Sequence, residues 1–163
     1  MRKKVSLKYR KRIRLKDFSY KGYWRYFVTI STNYRELYFE NKENVEYCVN
    51  ILRDVSASHK FKILAYCFMP DHLHLLIEGE EEDSDFRKFM SVFKQRTNFL
   101  FKKTKDEALF QENYYEHVLR KEEDTIQVVR YILNNPVRKE LVAEFRDYPF
   151  LGSFVYDLKE LFS

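Results

Sequence analysis

The stretch FKILAYCFMPDHLHLLIEG, residues 61–79, decides the fold because it predicts two strands joined by a tight corner. The first part, 61–69, is rich in aromatic and apolar residues and is typical of a strand. Met69-Pro70-Asp71 fits a turn, since proline and aspartate both favour turn conformations. The chain then returns as a second strand over 72–79. An antiparallel strand pair is therefore predicted here.

The second of these strands separates its leucines from its histidines. Successive side chains of a strand point to opposite faces of the sheet, so we expect Leu73, Leu75 and Ile77 to pack against helices. His72 and His74 then emerge side by side from the other face, within reach of one metal ion. Two histidines leave a divalent ion short of ligands, so a further ligand must come from elsewhere in the chain. The alternative is that both are ordinary polar residues on a solvated sheet face.

The remaining periodicities complete the order strand–helix–strand–strand–helix–strand–helix. Further strands are predicted at 23–32 and 113–120, and helices at 41–58, 85–103 and 124–135. Asn41 and Asp124 are suitable N-caps, and Pro136 is expected to end the last helix. This order predicts an α+β fold: a ferredoxin-like split βαβ arrangement with an antiparallel four-stranded sheet and an added C-terminal helix.

The positive charge of the chain is concentrated in residues 1–16, which we call the basic arm. The basic arm contains nine lysines and arginines and no acid, more than the formal net charge of +5 for the whole chain. Such a segment attracts phosphate backbones through counterion release. We predict DNA contacts from Arg10, Lys11, Arg12 and Arg14; a solubilising tail is the alternative. Lys94, on the basic face of the 85–103 helix, is a further candidate for a phosphate contact, with a solvated lysine as the alternative.

Length and composition bound the class of protein. The 163 residues fit the basic arm followed by one catalytic domain at 17–163. No stretch approaches the ~20 apolar residues of a membrane span, and the basic arm lacks the apolar centre of a secretory signal. Cys48 and Cys67 lie among apolar neighbours and are expected to be reduced core residues. These features predict a cytoplasmic protein and argue against a disulfide-stabilised secreted domain.

A second pair of polar residues lies in RYILNNPVR, residues 130–138. Tyr131 and Asn135 are four residues apart and therefore neighbours on one face of the predicted helix. A phenol can act as a nucleophile, and a carboxamide oxygen can bind a hard cation. Each residue also has a structural use, since Tyr131 could pack in the fold and Asn135 could cap the helix before Pro136.

Three motifs in order resemble the single-tyrosine HUH transposases, in particular the REP-associated tyrosine transposases. They are CFMPDHLHLLIEG (67–79), NYYEHVLRKEED (113–124) and RYILNNPVRKELV (130–142). The chain departs from the family pattern at Glu140, where a glycine is expected, and its DYPFLGSF segment (147–154) is only loosely similar. These departures bear on which DNA hairpin is read, and they lie outside the chemistry.

The resemblance implies a set of roles. It assigns His72, His74 and Asn135 as ligands of Mg²⁺ or Mn²⁺ and Tyr131, on the added C-terminal helix, as the nucleophile. It also implies single-stranded or hairpin DNA as the partner, a 5′-phosphotyrosine intermediate, and a nucleoid-associated monomer or homodimer with no membrane partner. His117, in the 113–124 motif, is expected near the site, with a structural role as the alternative.

Three functions compete at this stage. The first is a DNA strand-transferring transposase that cuts and rejoins single strands beside hairpins. The second is a non-catalytic module that binds structured nucleic acid, such as a host-tamed regulator. The third is a zinc-dependent hydrolase that uses the same histidines with water as the nucleophile. The co-occurrence of both histidines with Tyr131 and Asn135 favours the first.

Overall fold

The computed structural model describes residues 18–162. The basic arm, with Arg10, Lys11, Arg12 and Arg14, lies outside the described residues, and its contact with DNA stays a prediction. Within 18–162, no helix combines the length and the apolar character that crossing a membrane requires.

Five strands and five α-helices follow one another in the order β1, α1, β2, β3, α2, β4, α3, α4, β5, α5 over the described residues. Their bounds are β1 Arg25–Ser31, α1 Lys42–His59, β2 Phe61–Met69, β3 His72–Gly79, α2 Phe86–Lys105, β4 Tyr115–Val118, α3 Thr125–Leu133, α4 Asn135–Arg138, β5 Leu151–Gly152 and α5 Leu158–Leu161. The antiparallel sheet has the order β4-β1-β3-β2-β5, with β3 at its centre. The predicted fold class and the order from β1 to α3 are confirmed.

The sheet has one strand more than predicted. The two-residue strand β5 pairs with Tyr66 and Cys67 at the β2 edge. A strand of two residues is too short to show an alternating pattern, so the periodicity of the sequence carries no signal for it.

Side-chain caps explain where the two long helices begin. The Asn41 side chain accepts hydrogen bonds from the backbone N–H groups of Glu43 and Asn44, as predicted, and Asp85 accepts one from Lys88. These bonds satisfy backbone donors that have no partner inside the helix.

The two faces of the sheet are covered by different elements. On one face, Leu73, Leu75 and Ile77 are buried in a core shared with α1 and α2, which confirms the predicted orientation of β3. On the other face, Leu76 is buried with Val129 of α3. A slip of β3 by one residue would place histidines in the first core, so burial of the leucines fixes the position of the histidines. We call the second face the α3 face.

The corner between β2 and β3 is tied to the loop that follows β1. The carbonyl oxygen of Asp71 accepts hydrogen bonds from the backbone N–H and the hydroxyl of Thr32, at 2.9 and 3.1 Å. Tyr34 and Arg35 in that loop have positive φ angles of 53° and 57°, a left-handed conformation that non-glycine residues rarely adopt. The loop therefore makes a tight turn directly beside the corner.

The predicted single helix ending at Asn135 is wrong. Helix α3 ends at Leu133, and a separate short helix α4 begins at Asn135 with Pro136 in its first turn. Proline is well accommodated there because the N–H it lacks has no partner in the first turn of a helix anyway. Pro136 thus starts a helix where it was expected to end one, and Tyr131 and Asn135 lie in different helical segments.

Candidate active site

The two histidines of β3 face each other on the α3 face of the sheet. Their Nε2 atoms are 3.1 Å apart, and the rings are nearly perpendicular, with centroids 4.7 Å apart. Both side chains are half-buried. The predicted side-by-side placement of His72 and His74 is therefore what the structure has, and their Nε2 atoms converge on one point.

The opposite ring nitrogen of each histidine is held by a neighbour. Nδ1 of His74 is 2.8 Å from Oγ1 of Thr29, its cross-strand partner on β1. Nδ1 of His72 is 2.7 Å from Oδ1 of Asp71. Histidines that bind metals commonly engage their second nitrogen in this way, which fixes the ring orientation.

Both imidazoles are neutral near pH 7. Burial, together with the electrostatic effects of His72, Arg138 and Lys139, lowers the pKa of His74 to about 3. Burial also lowers the pKa of His72, outweighing the opposite effect of Asp71. A neutral imidazole offers the lone pair that a metal ion requires.

Asp71 is in turn fixed by Arg35. Nε and Nη2 of Arg35 lie 2.9 and 2.8 Å from Oδ2 of Asp71, and Nη1 donates to the hydroxyl of Ser31 at 2.7 Å. Burial raises the pKa of Asp71, but the hydrogen bond with His72 and the charge of Arg35 outweigh it and lower that pKa overall. Asp71 is thus a carboxylate that holds His72 from one side and Arg35 from the other.

One aromatic ring lies between the histidines and two exposed tyrosines. The Phe27 ring stacks on His74 at 5.7 Å between centroids and meets the Tyr131 ring edge-on at 6.3 Å. Tyr115 of β4 also meets Phe27 edge-on, at 6.4 Å. Tyr131 and Tyr115 are 54% and 57% exposed, so both phenols on the α3 face are accessible.

Arg138 of α4 contacts both residues of the predicted tyrosine–amide pair. Nη1 donates to the backbone carbonyl of Tyr131 at 2.8 Å, and Nη2 donates to Oδ1 of Asn135 at 3.3 Å. The Cζ atom of Arg138 lies 3.9 Å from the centroid of the Tyr131 ring, within cation–π range. Asn135 is buried, whereas Arg138 is exposed. Arg138 therefore links Tyr131 to Asn135 across the break between α3 and α4.

The described residues offer few ligands for a metal ion at this site. Residues 18–162 contain no group of three or more His, Cys, Asp and Glu side chains that could hold a metal ion. A site built on His72 and His74 thus depends on an amide oxygen such as that of Asn135, and on water or substrate oxygens. Two nitrogens and one neutral oxygen would leave positions open for water or substrate, unlike the four protein ligands of a closed structural zinc site.

Of the other two predicted residues, His117 lies beside the site and Lys94 lies on the opposite face of the sheet. His117 lies across from Phe27 on β4, binds Glu123 at 2.9 Å, and lines a groove of about 500 Å³ beside Tyr131. Lys94 lies on α2, which covers the opposite face of the sheet, where its Nζ donates to the carbonyl of Glu112. A role for Lys94 in DNA binding stays a prediction.

Four residues that hold the site escaped the sequence analysis. Thr29 was missed because its contact with His74 depends on how β1 and β3 pair, and this register cannot be read from the sequence. Asp71 precedes the histidine motif directly and could have been considered as their partner. Arg35 and Arg138 each stand in a short polar segment, and nothing in the periodicity distinguishes them from solvated arginines.

Comparison with known proteins relates this site to one family. The family described as "Transposase IS200 like" matches residues 21–135, a segment that contains both histidines, Tyr131 and Asn135. Over 112 residues the chain is 30% identical to a putative REP-associated tyrosine transposase of Haemophilus influenzae. Over 97 residues it is 31% identical to a REP-associated tyrosine transposase of Escherichia coli K12. The matches cover 62% and 59% of this chain and only 63% and 56% of the two relatives.

Two solved structures share the fold. One is a REP-associated tyrosine transposase bound to a REP hairpin, with a TM-score of 0.70 and 24% identity over 83% of this chain and 79% of that one. The other is a putative transposase from Deinococcus radiodurans, with a TM-score of 0.51 and 21% identity over 73% of this chain and 94% of that one. At these identities the likeness concerns the fold.

Proposed function

The chain belongs to the IS200-like transposase family, and we propose that it cuts and rejoins single-stranded DNA beside a hairpin with Tyr131 as the nucleophile. The phenol oxygen of Tyr131 would bond to the phosphorus while the bond from phosphorus to the 3′ oxygen breaks. The products are a 5′-phosphotyrosine on the protein and a DNA strand ending in a 3′-hydroxyl. Attack by another 3′-hydroxyl on the phosphotyrosine would reseal DNA and restore the phenol.

His72, His74 and Asn135 would hold a Mg²⁺ or Mn²⁺ ion in this reaction. Such an ion, when bound, stabilises the charge that develops on the phosphate oxygens. Thr29 and Asp71 would keep the two imidazoles oriented with Nε2 available, as the hydrogen bonds at 2.8 and 2.7 Å indicate. Phe27 would set the position of the Tyr131 ring relative to the histidines, because its own ring contacts both His74 and Tyr131.

The observation that carries this proposal is the convergence on the α3 face. His72 and His74 present their Nε2 atoms 3.1 Å apart, and a single ring, Phe27, lies between His74 and the exposed Tyr131. A module that only bound DNA would have no need for two neutral imidazoles aimed at each other. A hairpin is proposed as the partner because a REP-associated tyrosine transposase of the same fold is bound to one.

The proposal is tested by trapping the covalent intermediate. Wild-type protein incubated with Mn²⁺ and labelled single-stranded hairpin DNA from beside its own gene should give a band that survives SDS. Tyr131→Phe removes one oxygen and keeps the ring that contacts Phe27, so the fold should persist while the band disappears. Peptide mapping should place the nucleotide on Tyr131.

Tyr115 supplies a matched control. Its exposure and its contact with Phe27 closely equal those of Tyr131, but it lies on a strand and lacks the Asn135 neighbour. Tyr115→Phe should keep the covalent band. A band that persists in Tyr131→Phe and vanishes in Tyr115→Phe would assign the nucleophile to β4, and no band with any adjacent hairpin would favour a DNA-binding module.

A further inference from the structure

Arg138 contacts two groups that take part in the proposed reaction, the side-chain oxygen of Asn135 and the ring of Tyr131. Its guanidinium donates to Oδ1 of Asn135 at 3.3 Å and covers the ring of Tyr131 at 3.9 Å. In the proposed function, that oxygen binds the metal ion and that phenol attacks DNA. These two contacts of Arg138 are therefore not the contacts of the reaction.

The charge of Arg138 also opposes a cation at the histidines. Arg138 and Lys139 both lie close enough to His74 for their positive charges to act on its ring. A guanidinium hydrogen-bonded to Asn135 places its charge next to the oxygen that the metal would use, and like charges repel. Metal binding to the DNA-free protein is disfavoured by this arrangement.

A phosphate group would be a better partner for this guanidinium than its present ones. Arginine forms charge-assisted, often bidentate hydrogen bonds with phosphate, and these are stronger than bonds to a neutral amide or a contact with a ring. Arg138 is exposed, so its side chain can turn towards a strand that approaches Tyr131.

We propose that Arg138 exchanges partners when DNA arrives: it leaves Asn135 and the Tyr131 ring and binds the phosphate beside the nucleophile. The exchange releases Oδ1 of Asn135 for the metal ion and frees the face of the Tyr131 ring. It rests on the proposed function, since it assigns Asn135 to the metal and Tyr131 to the attack. Its consequence is reciprocal coupling, in which DNA strengthens metal binding and metal strengthens DNA binding.

The first test measures Mn²⁺ binding without DNA. The electron paramagnetic resonance signal of free Mn²⁺ reports the affinity of wild type, Arg138→Gln and Lys139→Gln. Both variants remove one positive charge near the histidines, but of the two side chains only that of Arg138 donates a hydrogen bond to Oδ1 of Asn135. Arg138→Gln should bind Mn²⁺ about 5-fold or more tightly than wild type, and Lys139→Gln should gain clearly less. Equal gains, or no gain in Arg138→Gln, would overturn the proposal.

The second test adds DNA in a background that cannot cut it. With Tyr131→Phe and the hairpin oligonucleotide that gives the covalent band, DNA should tighten Mn²⁺ binding severalfold, and this effect should persist after Lys139→Gln. It should be lost after Arg138→Gln, whose affinity for Mn²⁺ is already raised. Coupling that survives Arg138→Gln would overturn the exchange.

The proposed metal site and the Arg138 exchange can be disproved separately. If His72→Ala with His74→Ala leaves Mn²⁺ binding unchanged, the metal site of the proposed function is wrong and the exchange falls with it. If that pair abolishes Mn²⁺ binding while Arg138→Gln behaves as Lys139→Gln does, only the exchange is wrong.

Discussion

The histidine side and the tyrosine side of the site are built in different ways. His72 and His74 stand on the central strand, half-buried, and each has its second nitrogen bound to a neighbouring side chain. Tyr131 stands on a helix at the surface, more than half exposed, and an exposed arginine covers its ring. The central strand therefore fixes the two histidines, which need exact geometry. Tyr131, which must reach a large substrate, lies on an exposed helix surface.

Removing both histidines should have the largest effect on strand cleavage. His72→Ala with His74→Ala should abolish strand cleavage, because the remaining amide cannot hold a metal ion alone. Hairpin binding, measured by gel shift, should be largely kept, since contacts with the phosphate backbone come from other residues. Cleavage at the wild-type rate would show that the histidine side has no part in the chemistry.

Thr29→Val tests whether orientation matters within the histidine side. The substitution keeps the shape of Thr29 and removes the hydroxyl that binds Nδ1 of His74. Losing an outer partner of a metal-binding histidine typically lowers metal affinity or activity by about 10–100-fold. Thr29→Ser keeps the hydroxyl and should retain most of the Mn²⁺ affinity. Equal affinities in the valine and serine variants would show that the hydroxyl does not orient the ring.

Phe27→Leu tests the boundary between the two sides. The shorter side chain removes the ring that contacts His74 and Tyr131, so the rate of covalent adduct formation should fall severalfold while Mn²⁺ affinity stays unchanged. Because Phe27 is only half-buried, the substitution should cost less of the free energy of unfolding than the roughly 3–5 kcal/mol of truncating a buried phenylalanine to alanine. A fall in Mn²⁺ affinity as large as the fall in rate would mean that Phe27 belongs to the histidine side alone.

Arg35→Gln should have the smallest effect. The ion pair with Asp71 is partly exposed, with 52% of the Arg35 side chain accessible, and such pairs contribute about 0–1 kcal/mol. We expect a loss of Mn²⁺ affinity of no more than about 5-fold, because Asp71 still holds His72. A loss as large as that of Thr29→Val would show that Arg35 sets the orientation of Asp71.

The long elements and the orientation of β3 follow from the sequence because burial imposes regular spacing on it. The alternation in 72–79 places the histidines opposite the leucines, and the caps at Asn41 and Asp124 mark helix starts. What could not be predicted depends on three-dimensional register. The bond from Thr29 to His74 requires knowing that β1 and β3 pair with these two residues opposite each other.

The end of helix α3 could not be predicted from the sequence for a different reason. Proline is compatible with both the end of one helix and the first turn of the next, and the sequence alone does not distinguish the two. The spacing of Tyr131 and Asn135 therefore predicts one helix, whereas in the structure the two residues lie in different helices and Arg138 contacts both. The roles of His72, His74, Tyr131 and Asn135 in catalysis stay predictions.

The left-handed turn at Tyr34 and Arg35 implies a trade-off between stability and activity. Each non-glycine residue in this conformation costs roughly 1–2 kcal/mol, and Tyr34 is 83% exposed, so packing does not repay it. Selection for folding alone would favour glycine at Tyr34. The turn instead keeps Arg35 against Asp71 beside the histidines, and proteins commonly accept such a cost at functional sites. Variants selected only for heat resistance should therefore change this turn early, at the modest cost in Mn²⁺ affinity expected for loss of the Arg35 contact.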